Sequence, residues 1–234
     1  TAYTMTPLEP HTAVQKAPNG MQHPNGDVLD VPQTFLDAGG QDLQIYVPDY
    51  YALWFYEFSS TEEYLDILRM EAEECIAKGI EDEVVYVLYN EPNADWIGGS
   101  YTDPETGTVC EGWYSLFWFW EDMYDLVVDV YEENGVETKP RFAGLNLAGY
   151  DNWVMEEYIK FCVEHNCMPD VISWHDLSTW QFNNFGNEYN HYRGLEEKYL
   201  TPENAEKYGV DITPREIVIN EYAANAECSS PGDL

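Results

Sequence analysis

The stretch Val84-Val85-Tyr86-Val87-Leu88-Tyr89-Asn90-Glu91-Pro92 decides how this chain is read. Five consecutive apolar residues with no polar alternation are the pattern of a strand covered on both faces, which is the situation of a parallel sheet flanked by helices. The polar Asn-Glu pair and the proline then mark its C-terminal end. Upstream, Ser60 and Glu63 form a capping box for a helix of about 17 residues, with Tyr64, Leu68, Ala72, Cys75 and Ile76 near a 3.6-residue period. Before that helix, Leu43-Gln44-Ile45-Tyr46-Val47 is a strand closed by Pro48.

Downstream, the segment from Asn93 to Trp113 is broken by Gly98, Gly99, Gly107 and Gly112 and is expected to be a loop insertion. A helix from about Ser115 to Glu132 shows Leu116, Phe119, Trp120, Met123, Val127 and Val130 on one face. Phe142 to Leu147 is a strand, Asp151 caps a helix that ends near His165-Asn166, and Val171 to Trp174 is the next strand. Residues 176–213 look like a long polar and aromatic connection, and Glu216 to Ile219 is another buried strand. The first 40 residues carry the turns Pro18-Asn19-Gly20 and Pro24-Asn25-Gly26 and read as a loop-rich N-terminal segment.

Strands and helices in this alternation mean an α/β domain with parallel strands, either a closed (β/α)8 barrel or an open doubly wound sheet. The barrel is favoured. No glycine-rich phosphate loop follows any strand, and the polar residues gather just after strand C-termini, where barrel enzymes keep their chemistry. Only five strands are recognisable, with Thr1 to Met5 available for a sixth. The expectation is therefore an incomplete barrel, with residues 41–234 its central and C-terminal part, completed by a longer polypeptide or another chain.

Composition narrows the partners. The 234 residues include 44 Asp+Glu against 10 Lys+Arg, a formal net charge of −34. Such a surface repels phosphate backbones and anionic lipid, so neither nucleic acid nor membrane is expected as a partner. With 44% apolar and 15% aromatic residues the chain has the means to build a core. Acidity suits solubility in an extracellular medium, so a secreted location is expected, although no signal peptide is present in this chain. Cys75, Cys110, Cys162, Cys167 and Cys228 match no zinc spacing, and Cys162 and Cys167 could pair with each other or with nothing.

Two Asn-Glu pairs stand at strand ends, Asn90-Glu91 and Asn220-Glu221, 130 residues apart. The mouth of a barrel would bring them face to face. Paired carboxyl groups in one cleft can divide general-acid and nucleophile roles when their surroundings separate their pKa values. A histidine, His175, ends the strand that starts at Val171. A metal-dependent hydrolase would want His and Asp clusters at several strand ends, and only His175-Asp176 offers one, so no metal or other cofactor is expected.

Val87-Leu88-Tyr89-Asn90-Glu91-Pro92-Asn93 followed by Trp96 resembles the fourth-strand signature of clan A retaining glycoside hydrolases, in the form found in family 39, the β-xylosidase and α-L-iduronidase family. Ile172-Ser173-Trp174-His175 is similar to that family's sixth-strand segment, and Ile217 to Tyr222 to its nucleophile strand. The resemblance implies a (β/α)8 barrel covering about units three to seven, with Glu91 as acid/base and Glu221 as nucleophile. It further implies that Asn90 binds the sugar 2-hydroxyl and that His175 orients groups near the nucleophile.

Aromatic side chains crowd the same strand ends, and Trp54, Trp96, Trp174 and Tyr222 are candidate platforms for the C–H faces of sugar rings. With so few cations, a neutral oligo- or polysaccharide of xylo- or gluco-configuration is the expected substrate. The competing reading is a non-catalytic carbohydrate-binding barrel. The pair of opposed glutamates argues against it, because binding alone needs no such pair.

Overall fold

Continuous apolar strands and capped amphipathic helices assemble as the sequence pattern requires. The structure is a computed structural model that describes residues 3–5, 32–46, 60–95, 99–102, 106–177 and 179–222. The two expected N-terminal turns, Trp54, Trp96 and Cys228 lie outside them.

The chain divides into two compact units, Thr1–Asn90 with Asp95–Ala143, and Glu91–Ala94 with Gly144–Leu234. The first unit holds β1 (Tyr3–Met5), α1 (Pro32–Asp37), β2 (Leu43–Tyr46), α2 (Thr61–Lys78), β3 (Val84–Val87), β4 (Ser100–Thr102), β5 (Val109–Glu111), α3 (Trp113–Glu133) and the first residues of β6 (Arg141–Leu147). Its sheet order is β1-β2-β3-β6, and every neighbouring pair is parallel. Parallel neighbours need crossovers, and α2 and α3 supply them. All four residues of β2 and all four of β3 are buried, as the unbroken apolar runs demand.

Helix α2 starts at Ser60, whose hydroxyl accepts the Glu63 N–H at 3.2 Å, and stops at Gly79 in the left-handed conformation, φ 68°. Its buried stripe of Tyr64, Ile67, Leu68, Ala72 and Cys75 meets α3, which buries Leu116, Phe119, Trp120, Met123, Val127 and Val130. The Tyr64 hydroxyl donates to the Leu88 carbonyl at 2.7 Å, so a polar tip inside the core is satisfied just beyond the end of β3.

The second unit holds the rest of β6, α4 (Asn152–His165), β7 (Val171–Asp176), α5 (Thr179–Tyr199), α6 (Pro202–Tyr208) and β8 (Glu216–Tyr222). Its sheet order is β6-β7-β8, with β7 and β8 parallel. Asp151 caps α4 by accepting the N–H groups of Trp153 and Val154, and Asn166 ends it with φ 55°. Strand β7 is buried along its whole length, whereas β8 is half exposed.

Three expectations are corrected. The Asn93–Trp113 insertion is a helical turn, Pro92–Asp95, followed by the antiparallel β4–β5 hairpin. The connection expected over 176–213 contains two helices, α5 and α6. Residues Pro32–Asp37 of the loop-rich N-terminal segment form α1. Cys162 and Cys167 form no disulfide and are buried, as is Cys75. Among the described residues no helix is long and apolar enough to cross a membrane.

Candidate active site

Glu91 takes its place from an unusual piece of backbone. Strand β3 ends in a buried Tyr89-Asn90, and the chain then turns at Glu91 with φ 44°, in the left-handed region that non-glycine residues seldom enter. Pro92 opens the helical turn that follows. The Glu91 N–H donates to the Asn146 carbonyl at 3.0 Å, and the Asn93 side chain accepts the Ala148 N–H at 2.7 Å. Two hydrogen bonds thus hold the Glu91 turn against the C-terminal end of β6.

Glu221 takes its place from an irregularity in the β7–β8 ladder. Trp174 is opposite Ile219, but His175 is opposite Glu221, so Asn220 is an extra residue on β8. A one-residue slip exchanges the two faces of a strand, and this bulge turns Glu221 rather than Asn220 toward His175. The displaced Asn220 side chain donates its Nδ2 to Asn146 Oδ1 at 2.7 Å.

The two carboxyl groups meet at His175. Its Nδ1 lies 2.7 Å from Glu91 Oε1 and its Nε2 3.8 Å from Glu221 Oε1. One oxygen of each carboxyl group and one ring nitrogen all fall within 4.8 Å of one another. His175 is fully buried while the side chains of Glu91 and Glu221 are 29% and 43% exposed, so the imidazole is the floor and both carboxyl groups open to solvent. The bond to Glu91 can be carried by Nδ1–H donating to a carboxylate or by a protonated Glu91 donating to Nδ1. That suits a carboxyl group that must hold and release a proton. Two carboxylates and an imidazole are also donors that a divalent cation accepts.

Trp174 and Asp176 alternate with His175 along β7 and turn the other way, to α5. The Trp174 Nε1–H donates to Glu188 Oε2 at 3.1 Å, and the Asn184 amide donates to Glu188 Oε1 at 3.2 Å. Asp176 is hydrogen-bonded to Glu188, and burial holds both carboxyl groups above the usual carboxylate range. The Asp176 charge raises Glu188 further, which favours one proton shared between the two. A cavity of about 280 Å³ lined by Asp176, Phe185, Ile219 and Tyr222 lies on this side.

The structure thus brings Glu91, His175 and Glu221 together. Asn90 is buried in the first unit, and Tyr222 is 70% exposed at the end of β8. Trp174 corrects an expectation: it is fully buried, bonded to Glu188 and edge-on to Tyr150 at 4.9 Å, so it offers no face to a sugar. Trp54 and Trp96 lie outside the described residues. Sequence reading missed Asn146 and Glu188. Glu188 sits on a helix that was not recognised, and Asn146 looks like one polar residue in a strand; the only signal was an asparagine where a left-handed φ is needed.

The sequence is 24% identical, over 94% of this chain, to a 3-O-β-L-arabinopyranosyl-α-L-arabinofuranosidase of Bifidobacterium pseudocatenulatum. It is 26% identical, again over 94% of this chain, to a 3-O-α-D-galactosyl-α-L-arabinofuranosidase of Bifidobacterium longum subsp. longum. The chain spans 25% and 22% of the lengths of these two relatives. The solved structure of N2152 from Neocallimastix frontalis has a similar fold, with a TM-score of 0.64 and 22% identity over 96% of this chain and 46% of that one. No family model matches the sequence.

Proposed function

We propose that this chain carries the active centre of a retaining glycoside hydrolase and is a segment of a (β/α)8 barrel. Glu91 is its acid/base and Glu221 its nucleophile. The observation that carries the reading is the approach of the two carboxyl groups to within 4.8 Å at their facing oxygens, with His175 between them. Retaining enzymes keep this pair about 5–5.5 Å apart so that one attacks the anomeric carbon directly, whereas inverting enzymes leave about 6.5–9.5 Å for a water. That separation falls on the retaining side of the two ranges.

In the first step Glu221 attacks the anomeric carbon while Glu91 protonates the departing oxygen. In the second, Glu91 takes a proton from water as that water displaces Glu221 from the sugar. His175 holds Glu91 through Nδ1 and carries the change in its charge without moving it. Asn90 is assigned to the 2-hydroxyl, and Tyr222, Trp54 and Trp96 to the sugar faces.

Both curated relatives are named as α-L-arabinofuranosidases, which supports an α-L-arabinofuranosyl linkage in a neutral plant-type glycan as the substrate, in preference to the xylo or gluco configuration. A secreted location fits that substrate. The test is hydrolysis of aryl α-L-arabinofuranosides by the complete polypeptide that carries this segment. Turnover that survives EDTA and is lost in both Glu91→Gln and Glu221→Gln, each shown folded by circular dichroism, supports the proposal. Turnover that collapses on chelation and returns with a divalent cation assigns the same three side chains to a metal and overturns it.

A further inference from the structure

We infer that Asn146 is the positioning residue that sets the spacing of the two carboxyl groups, through its main-chain carbonyl to the Glu91 turn and its side-chain oxygen to the β8 bulge. The inference rests on the glycosidase reading and deepens it.

Three observations converge on this residue. Its carbonyl accepts the Glu91 N–H at 3.0 Å, and its Oδ1 accepts Asn220 Nδ2 at 2.7 Å. It is fully buried at the C-terminal end of β6, where water cannot replace either partner. Its φ is 57°, in the left-handed region where asparagine is the side chain other than glycine best tolerated. One residue therefore satisfies three demands at once. It turns the end of β6 so that its carbonyl meets Glu91, it supplies an acceptor for Asn220, and it does so without charge beside two carboxyl groups.

The bond to Asn220 matters because Asn220 is the extra residue of the bulge. If its side chain is not held, the ladder can return to the regular register, which would turn Asn220 rather than Glu221 toward His175. Strain in sparsely populated backbone conformations persists where surrounding structure enforces it, and such positions gather at active sites. Glu91, with φ 44°, and Asn146 are two such positions joined by one hydrogen bond.

Asn146→Gly keeps the left-handed backbone and the carbonyl but removes Oδ1. Asn220→Ala removes the same bond from the other side. In the complete polypeptide that carries this segment, acting on an aryl α-L-arabinofuranoside, each is expected to lower kcat about 10–100-fold with KM changed less than about twofold, since misplacement of a catalytic group by about 1 Å costs on that order. The double variant is expected to be no slower than either single, because both break one bond. Asn146→Asp, which restores an acceptor, should recover part of the loss. If Asn146→Gly does not fold, Asn220→Ala alone reads the loss of the bond, with the same outcomes in kcat and KM. Retention of kcat within about twofold, a loss carried by KM, or losses that multiply in the double variant would overturn the inference while leaving the glycosidase reading intact. Absence of glycosidase activity in the unmodified complete polypeptide that carries this segment would overturn both.

Discussion

Glu221→Ala lowers turnover of an activated aryl α-L-arabinofuranoside by roughly 10⁴–10⁶-fold, the scale on which loss of a covalent nucleophile acts. Azide then restores part of it. Truncation leaves a space next to His175 at the anomeric carbon, and a small anion entering there attacks from the face that Glu221 used. Glu91 still lies 2.7 Å from His175 Nδ1 and still protonates the leaving group. With a single displacement in place of two, the product is a glycosyl azide of inverted configuration. Chromatography and proton NMR of the product identify it. Were azide to rescue Glu91→Ala with inversion and leave Glu221→Ala inactive, the two roles would be reversed.

Glu91→Ala has a different signature, because the acid/base acts in both steps. Substrates with poor leaving groups, which need the proton, lose about 10²–10⁴-fold in kcat/KM. A dinitrophenyl glycoside needs no proton and keeps most of its first-step rate. Its second step lacks the base, so the glycosyl-enzyme accumulates, kcat falls and KM falls with it. Azide, which needs no base, raises kcat and gives a glycosyl azide of retained configuration. Pre-steady-state release of dinitrophenol should show a burst in this variant. Equal losses for good and poor leaving groups would show that Glu91 is not the acid.

Much of this arrangement was legible because the relevant signals are local. The buried run of β3 and the Asn-Glu-Pro that ends it are continuous in sequence, and the caps at Ser60 and Asp151 form as their spacing requires. What was not legible depends on pairing between distant strands. The bulge that selects Glu221 over Asn220 is a property of the β7–β8 register, and neither strand shows it alone. Asn146 is one polar residue in an otherwise ordinary strand until its partners are known. Helix α5 was missed because Asn183, Asn184, Asn187 and Asn190 with Gly186 and Gly194 give it poor helix propensity. Packing overrides that: Tyr192, Leu195 and Glu196 are buried, and Glu188 reaches back to Trp174. Trp174 shows the reverse error, since an aromatic at a strand end was read as a ligand platform although its face of the strand packs on a helix.

The central claim, direct attack by Glu221 and a covalent intermediate, is tested most directly by the stereochemistry of transfer to methanol. Methanol competes with water for the glycosyl-enzyme, and the methyl glycoside it forms does not mutarotate, so proton NMR reads its anomeric configuration without ambiguity. Carboxyl oxygens within 4.8 Å of each other predict methyl α-L-arabinofuranoside from an aryl α-L-arabinofuranoside, with configuration retained. Formation of the β-anomer would contradict the account, because it requires a nucleophile other than Glu221 to reach the anomeric carbon first.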